Sequence, residues 1–381
     1  MKSIGIIAEY NPFTNGHLYH LNTIKEKYPD YAIVLVMNGN FTQRGDVSII
    51  DKWKRCEIAL NMGVNLVIEL PFSFATQSAD FFSYGALCIL NKLKVDKIIF
   101  GSESDDIDTL ELIAKTQINN DDFDKLVKIY SKLGNNYPTA ISNAIFDLTN
   151  KKIITPNDLL GVSYIKTILE NKFDIKYETI KRLDNYHNND LNDLGSASAI
   201  RKALKEDKSI NGYVPDMEIE YFNNMHFLDD YFNILKYKII TEDLSIYQTI
   251  DEGIDKKLKK VINDVKSVDE LIMAIKSKRY TYNKIRRMLI HILCDFTKDK
   301  ANSFKKIKYI RILGLDNKGR NYLNKIKKEI DVPIISKITR EKDSMLDYEI
   351  ETTKIYDIIT NDNLVKKEFN RIIYRGDKSN D

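Results

Sequence analysis

S-I-G-I-I-A-E-Y-N-P-F-T-N-G-H-L-Y-H, from Ser3 to His20, passes from one backbone periodicity to another within a few residues. Ile4, Ile6 and Ile7 form an apolar run without polar alternation, as in a parallel strand buried on both faces. The run stops at Glu9. Asn11 and Pro12 are turn residues, and Gly16 lets backbone come close where a side chain would block it. From His17 the pattern is helical, with Leu18, Leu21 and Ile24 on one side and Lys25, Glu26 and Lys27 on the wet side. A strand, polar turn and helix aim free N–H groups and the positive end of the helix dipole beyond the strand, which suits a phosphate. His17 and His20 are three apart and project from the same side of the first helical turn. Such imidazoles can donate to phosphate oxygens or stabilise a departing pyrophosphate; an isolated pair is more often packing or surface decoration.

Outward from this unit, strand-like and helix-like segments alternate, the mark of a parallel α/β sheet. Strands are predicted at Ala32 to Met37, Leu66 to Leu70 and Lys97 to Phe100. Helices are predicted at Lys52 to Met62 with Gly63 as C-cap, at Ser78 to Leu93, and at Asp108 to Leu133 with a break near Asn119. Ligands of such sheets lie beyond the carboxyl ends of the strands. That rule singles out Glu9 to Gly16, Asn38 to Asp46, Pro71 to Gln77 and Gly101 to Ser104, and predicts that they converge. From Asp216 onward amphipathic helices rich in Lys and Tyr take over. A small α/β insert is predicted from Tyr309 to Leu313, Gly319 to Lys328 and Val332 to Ile338. N-G-Y-V-P interrupts the pattern, so the expected division is residues 1–210 for a nucleotide-binding domain and 211–381 for a mainly helical, basic one.

Composition narrows the class. The chain has 381 residues, 43% hydrophobic and 30% charged, an ordinary globular balance. Cys56, Cys88 and Cys294 are far apart and never in a C-x-x-C pair, which fits neither a disulfide framework nor zinc and points to a reducing, cytoplasmic setting. No stretch approaches a membrane span. Loops of the P-loop, G-x-G-x-x-G, H-E-x-x-H and G-x-S-x-G types are absent. A net charge of +3 hides an asymmetry: Asp255 to Lys308 holds 16 Lys or Arg against 6 Asp or Glu. With Tyr280, Tyr282 and Phe296 interleaved, this is the footprint of a polyanion binder or else a solvated helical surface.

Several motifs go further together. T-N-G-H at Thr14 to His17 resembles the [H/T]-x-G-H signature of the nucleotidyltransferase superfamily. E-Y-N-P-F-x-N-G-H-L-Y-H is similar to bacterial tRNA(Met) cytidine acetate ligases, where His is expected in the place of Thr14. S-A-S-A-I-R at Ser196 to Arg201, alone a capped helix start, resembles I-S-S-T-x-I-R with Gly195 and Ala197 in place of Ile and Ser. F-T-Q-R-G-D at Phe41 to Asp46, G-S-E-S at Gly101 to Ser104, T-P-N-D-L-L-G at Thr155 to Gly161 and K-R-L-D-N-Y-H from Lys181 fit the same family. So does S-K-R-Y-T-Y-N-K-I-R-R-M-L-I-H, ending at His291, itself expected to be a packed or capping residue.

The resemblance implies a Rossmann-like nucleotidyltransferase domain followed by a helical tRNA-binding domain. ATP would be held by Ile7, Ala8 and Glu9 at the strand's end and by Tyr10, Asn11, Pro12 and Phe13 in the turn. Thr14, Asn15, Gly16, His17, Leu18, Tyr19 and His20 would follow, with Gly101, Asn157, Arg182, Ser198 and Arg201 from later segments. His17, His20 and Arg44 would be catalytic, Arg44 by holding a phosphate or the acetate carboxylate. Asp46 would hold a magnesium ion or a proton, or lie in a surface loop. Arg279, Tyr280, Arg286 and Arg287 would contact tRNA. The implied reaction is two-step: acetate and ATP give acetyl-adenylate, and the acetyl group passes to N4 of the wobble cytidine of elongator tRNA(Met). ATP is then a substrate, Mg2+ is expected, and the partners are tRNA(Met) and acetate, with no membrane and no DNA. One rival is an adenylyltransferase acting on a small mononucleotide or phosphopantetheine, which leaves the basic half unexplained. Another is an inactive RNA-binding protein, against which intact His17, His20 and Arg201 argue. Acid specificity, the tRNA elements read, the metal ligands and the oligomeric state stay open.

Overall fold

Strand β1 (Ser3–Ile7) leads into helix α1 (Asn15–Lys27), and the alternation continues through β2 (Ala32–Asn38), α2 (Lys52–Asn61), β3 (Leu66–Leu70), the single turn α3 (Phe72–Ala75), α4 (Ala79–Lys92) and β4 (Lys97–Ser102). The computed structural model describes residues 1–182, 196–339, 343–370 and 372–375. Next come α5 (Ile107–Thr116), α6 (Asp121–Lys132), α7 (Tyr137–Thr149), α8 (Pro156–Glu170), β5 (Lys176–Lys181) and α9 (Ala197–Lys205). Asn120 caps α6 through its side chain, which is why the long helical pattern breaks beside Asn119. The second half contributes α10 (Phe232–Thr241), α11 (Ile254–Val261), α12 (Val268–Ile275), α13 (Tyr282–Leu293) and α14 (Lys298–Ser303). It closes with β6 (Ile310–Asp316), α15 (Asn317–Ile326), β7 (Ile334–Ile335), α16 (Ser344–Thr360), α17 (Leu364–Glu368) and β8 (Ile373–Arg375). No helix among the described residues is long and apolar enough to cross a membrane.

Among the described residues the strands make one eight-stranded sheet in the order β5-β4-β1-β2-β3-β6-β7, with β8 also paired to β6. All pairings are parallel except β3 with β6, which is antiparallel. The α/β insert of the second half is therefore not a separate unit. Every residue of β3 is buried, so its far edge needs a partner, and β6 supplies it with Leu66 opposite Leu315 and Glu69 opposite Arg311. β5 and β8 escape sequence reading because Lys176, Glu178 and Lys181 give β5 a polar edge-strand composition and β8 is only three residues long.

The joint between the halves contains buried charge. Lys52 Nζ lies 2.6 Å from Glu69 and 2.8 Å from Glu368, while Arg311 pairs with Glu69 at 3.2 Å and also with Glu368. Thr353 donates to Glu368 at 2.6 Å, and a third carboxyl, Glu349, accepts the Phe72 N–H at 2.7 Å. Burial and the neighbouring Glu69 push Glu349 up to about 8, whereas Lys52 and Arg311, against the cost of burial, hold Glu368 down at about 2. At neutral pH two cations then face two carboxylates and one protonated acid, a balanced set.

A pH dependence follows. Between the ordinary value of 4.5 and about 8 the folded chain keeps a proton on Glu349 that the unfolded chain has released. This group's contribution is thus complete below that window and lost as pH rises through it. Glu349→Gln, which keeps the acceptor for Phe72, is expected to flatten the fall in unfolding free energy between pH 5 and 8 in denaturant titrations. Parallel slopes for parent and variant would sink this assignment.

Candidate active site

The turn after β1 presents the N-terminus of α1 to a cavity of about 610 Å³ beyond the carboxyl ends of the central strands. Thr14 is the N-cap: its hydroxyl accepts the His17 N–H at 3.3 Å, and its own N–H donates to His17 Nδ1 at 3.0 Å. With Nδ1 accepting, the imidazole proton sits on Nε2. The Tyr10 and Phe13 rings lie 5.0 and 5.6 Å from the imidazole and fix its plane. Both histidines line the cavity, and the buried His20 Nε2 has no hydrogen-bond partner among the described residues. Burial lowers His17 to about 3, with Arg182 and then His20 adding to it; burial and Arg182 lower His20 to about 4. Both rings are neutral donors near pH 7, ready for an anion.

Across the cavity, β4 and α8 interlock. Glu103 accepts the Asn157 amide at 2.5 Å and the Asp158 N–H at 3.0 Å, while Asp158 takes the Ser102 hydroxyl at 2.5 Å and the Glu103 N–H at 3.1 Å. This reciprocal capping sets Gly101 and Asn157 on one wall. A Cβ added at Gly101 would lie 3.1 Å from the Arg182 stem, so what its bareness protects first is the position of that guanidinium. Arg201, near the start of α9, donates to the Asn11 carbonyl at 2.6 Å and to Ser198 at 3.3 Å, while Ser196 caps the helix through the Ala199 N–H. Burial lowers the Arg201 value, opposed by Asp46 and Glu9.

The third wall comes from the loop after β2 and from α13. Gly45 has φ +77, and an added Cβ there would sit 2.2 Å from the Arg287 backbone nitrogen, so loop and helix meet backbone to backbone. Asp46 pairs with Arg286 at 2.5 Å and lies 4.0 Å from Arg201. Glu9 accepts the Gln43 N–H at 2.7 Å, and burial raises its value against the pull of that bond and of Arg44, Arg201 and Arg55. Magnesium was expected, yet the described residues hold no group of three or more ligating side chains, and Asp46 is committed to guanidiniums. A magnesium ion carried in on the phosphates of ATP would need no such group.

Most residues picked from sequence line this cavity: Ile7 to Asn11, Thr14, Gly16, His17, Tyr19 and His20, with Arg44, Gly101, Asn157, Arg182, Ser198 and Arg201. Pro12, Phe13, Asn15 and Leu18 do not. Phe13 is fully buried behind His17, Leu18 packs on the core, and Asn15 binds the Tyr213 and Gly212 carbonyls at 3.0 and 2.7 Å. Pro12 follows a cis peptide in the turn. Residues 183–195, with Gly195 and the end of K-R-L-D-N-Y-H, lie outside the described residues. Of the four positions expected to contact tRNA, one needs correction as a surface group, Tyr280. Tyr280 is 4% exposed with its hydroxyl donating to the Asp251 carbonyl at 2.6 Å, so its ring is not offered to a base. Arg286 is held by Asp46 and the Gly45 carbonyl, and Arg287 lines the cavity. Arg279 alone is exposed, paired with Glu252 at 2.9 Å. His291 is buried between Thr76 and Thr249, a packing residue. Sequence reasoning missed Gln43, Phe82, Tyr164, Lys181, Asn283 and Arg287 as lining residues; the positive-φ glycine of F-T-Q-R-G-D was the available signal that something packs on that loop.

The chain matches the family described as HIGH Nucleotidyl Transferase over residues 1–371. It is 38% identical to a Geobacillus sp. protein named tRNA(Met) cytidine acetate ligase, over 90% of each chain. A Clostridium perfringens protein of the same name is also 38% identical, over 94% of this chain and 96% of the other. Among solved structures, apo Thermotoga maritima TmcAL superposes with a TM-score of 0.91 at 29% identity, covering 99% of this chain and 100% of the other. A second form of that protein, bound with alpha-thio ATP, gives 0.89 over the same spans.

Proposed function

The chain belongs to the tRNA(Met) cytidine acetate ligases of the HIGH nucleotidyl transferase family, and from that premise we propose how its cavity carries out the reaction. The protein is a ligase that uses ATP to acetylate a cytidine of tRNA(Met). A carboxylate oxygen of acetate attacks the α-phosphorus of ATP, the bond to the bridging oxygen breaks, and pyrophosphate leaves with that electron pair. The N4 amine of the wobble cytidine then attacks the acetyl carbon, loses a proton, and releases AMP.

The observation that carries this reading is the pair of donors at the start of α1: His17 with its proton fixed on Nε2, and His20 with a buried Nε2 that has no partner among the described residues. Facing Arg182 and Arg201 across the cavity, they suit the charge that develops on a departing pyrophosphate. Residues 211–381 would hold the RNA through the exposed lysines of α11, with Lys276, Lys278 and Arg279. A small-molecule adenylyltransferase has no use for that basic half. The test is mass spectrometry of unmodified tRNA(Met) incubated with protein, ATP and labelled acetate. One labelled acetyl group on the wobble cytidine, dependent on ATP, is expected; unlabelled RNA after full incubation would reject the reading.

A further inference from the structure

The cavity divides along the sheet. β4 and β1 are adjacent, and β2 lies on the other side of β1. Gly101, Asn157 and Arg182 therefore stand to one side of His17, while Gln43, Arg44, Ala79, Phe82 and Arg287 stand to the other. The first side is the nucleotide's in the reading above. The second has two guanidiniums and a different chemistry. Arg286 and Arg201 have Asp46 for counter-ion. Among the described residues, neither Arg44 nor Arg287 has a carboxylate within ion-pair distance, and Arg287 makes only a long hydrogen bond, 3.4 Å, to the Gln43 carbonyl. Both are half-buried; Arg44 has the Glu9 carboxyl in its neighbourhood without pairing with it, whereas Arg287 has no carboxyl among the described residues to offset its burial.

A carboxylate that must approach the α-phosphorus from the side opposite the leaving group meets strong repulsion from the phosphates. Paired guanidiniums relieve it and orient the attacking oxygen, since their planar N–H forks match a carboxylate. Ala79 and Phe82 supply the apolar surface next to that position.

We propose that Arg287, carried on α13, completes with Arg44 the subsite for the short carboxylate substrate, so that the activation step requires a residue of the second half. The inference rests on the acyl-adenylate reading and places its acid. It gives Arg287, expected from the sequence to contact tRNA, a part in the activation step.

The test is acetate-dependent exchange of labelled pyrophosphate into ATP without tRNA, on the full chain. Arg287→Ala should raise the KM for acetate about tenfold or more and leave the KM for ATP within about threefold. Arg287→Lys, which keeps the stem packed and one positive charge, should fall between parent and alanine, and it carries the test if the alanine variant melts early. No change in the acetate KM, an equal rise in both KM values, or a loss confined to kcat would each overturn the inference. No exchange in the parent protein would instead overturn the acyl-adenylate reading, so the two failures are distinct.

Discussion

Alanine at His17 should lower acetate-dependent pyrophosphate release by roughly two to three orders of magnitude, the loss typical when one preorganised donor is removed from a developing anion. The ring is fixed on three sides, by the Thr14 N–H on Nδ1 and by the Tyr10 and Phe13 rings, so its Nε2–H needs no reorganisation during the reaction. His17→Ala should stay folded, because Thr14 still caps α1 by accepting the backbone N–H at position 17. The pH profile separates a neutral donor from an imidazolium. With His17 at about 3 and His20 at about 4 in the free protein, kcat/KM should show no acid limb near pH 6.5. A folded His17→Ala protein with parental rates, or a limb near 6.5 that His17→Ala abolishes, would refute the assignment.

Valine at Gly45 should do comparable damage by a different route. A β-branched residue at φ +77 costs on the order of 1–3 kcal/mol by itself. Its Cβ would also lie 2.2 Å from the Arg287 nitrogen and 2.4 Å from the Arg286 carbonyl carbon, backbone atoms of a helix that cannot rotate away. The loop must therefore separate from α13, taking Asp46 from Arg286 and Arg44 from Arg287. A melting temperature several degrees lower and loss of most acetate-dependent exchange are expected. Gly45→Ala should show the same defects more mildly, since it lacks the branched carbons. A valine variant that melts and turns over like the parent would mean that the loop–helix contact is dispensable.

How much of this was legible in the sequence depends on range. β1 to β4 were readable because each is a short apolar run closed by a turn, and the site's first turn because Gly16, His17 and His20 sit at fixed local offsets. Gly101 was readable from the rule that ligands lie beyond the carboxyl ends of parallel strands, whereas Arg201 was readable only through motif resemblance, since nothing local brings a helix so far along the chain to that cavity. The place of Arg287 on the cavity wall was hidden for a physical reason. A Lys- and Arg-rich amphipathic helix looks the same whether its charges face water or a cavity, and the facing wall is 240 residues earlier in the chain. The buried carboxyls were equally hidden, because Glu349 and Glu368 meet Phe72 and Lys52, and Glu69 meets Arg311, only when both halves are assembled.

The order of strands also bears on how the chain is made. β3 is complete by Leu70, but its partner β6 begins at Ile310. At ordinary synthesis rates the interval is on the order of ten to fifty seconds. Throughout it, a nascent chain carries an apolar strand, Leu66 to Leu70, with one edge unpaired and open to other chains on neighbouring ribosomes. Glu69 sits inside that strand. Lys52, already made, can pair with it, and Arg311 adds a second cation only when the correct neighbour arrives.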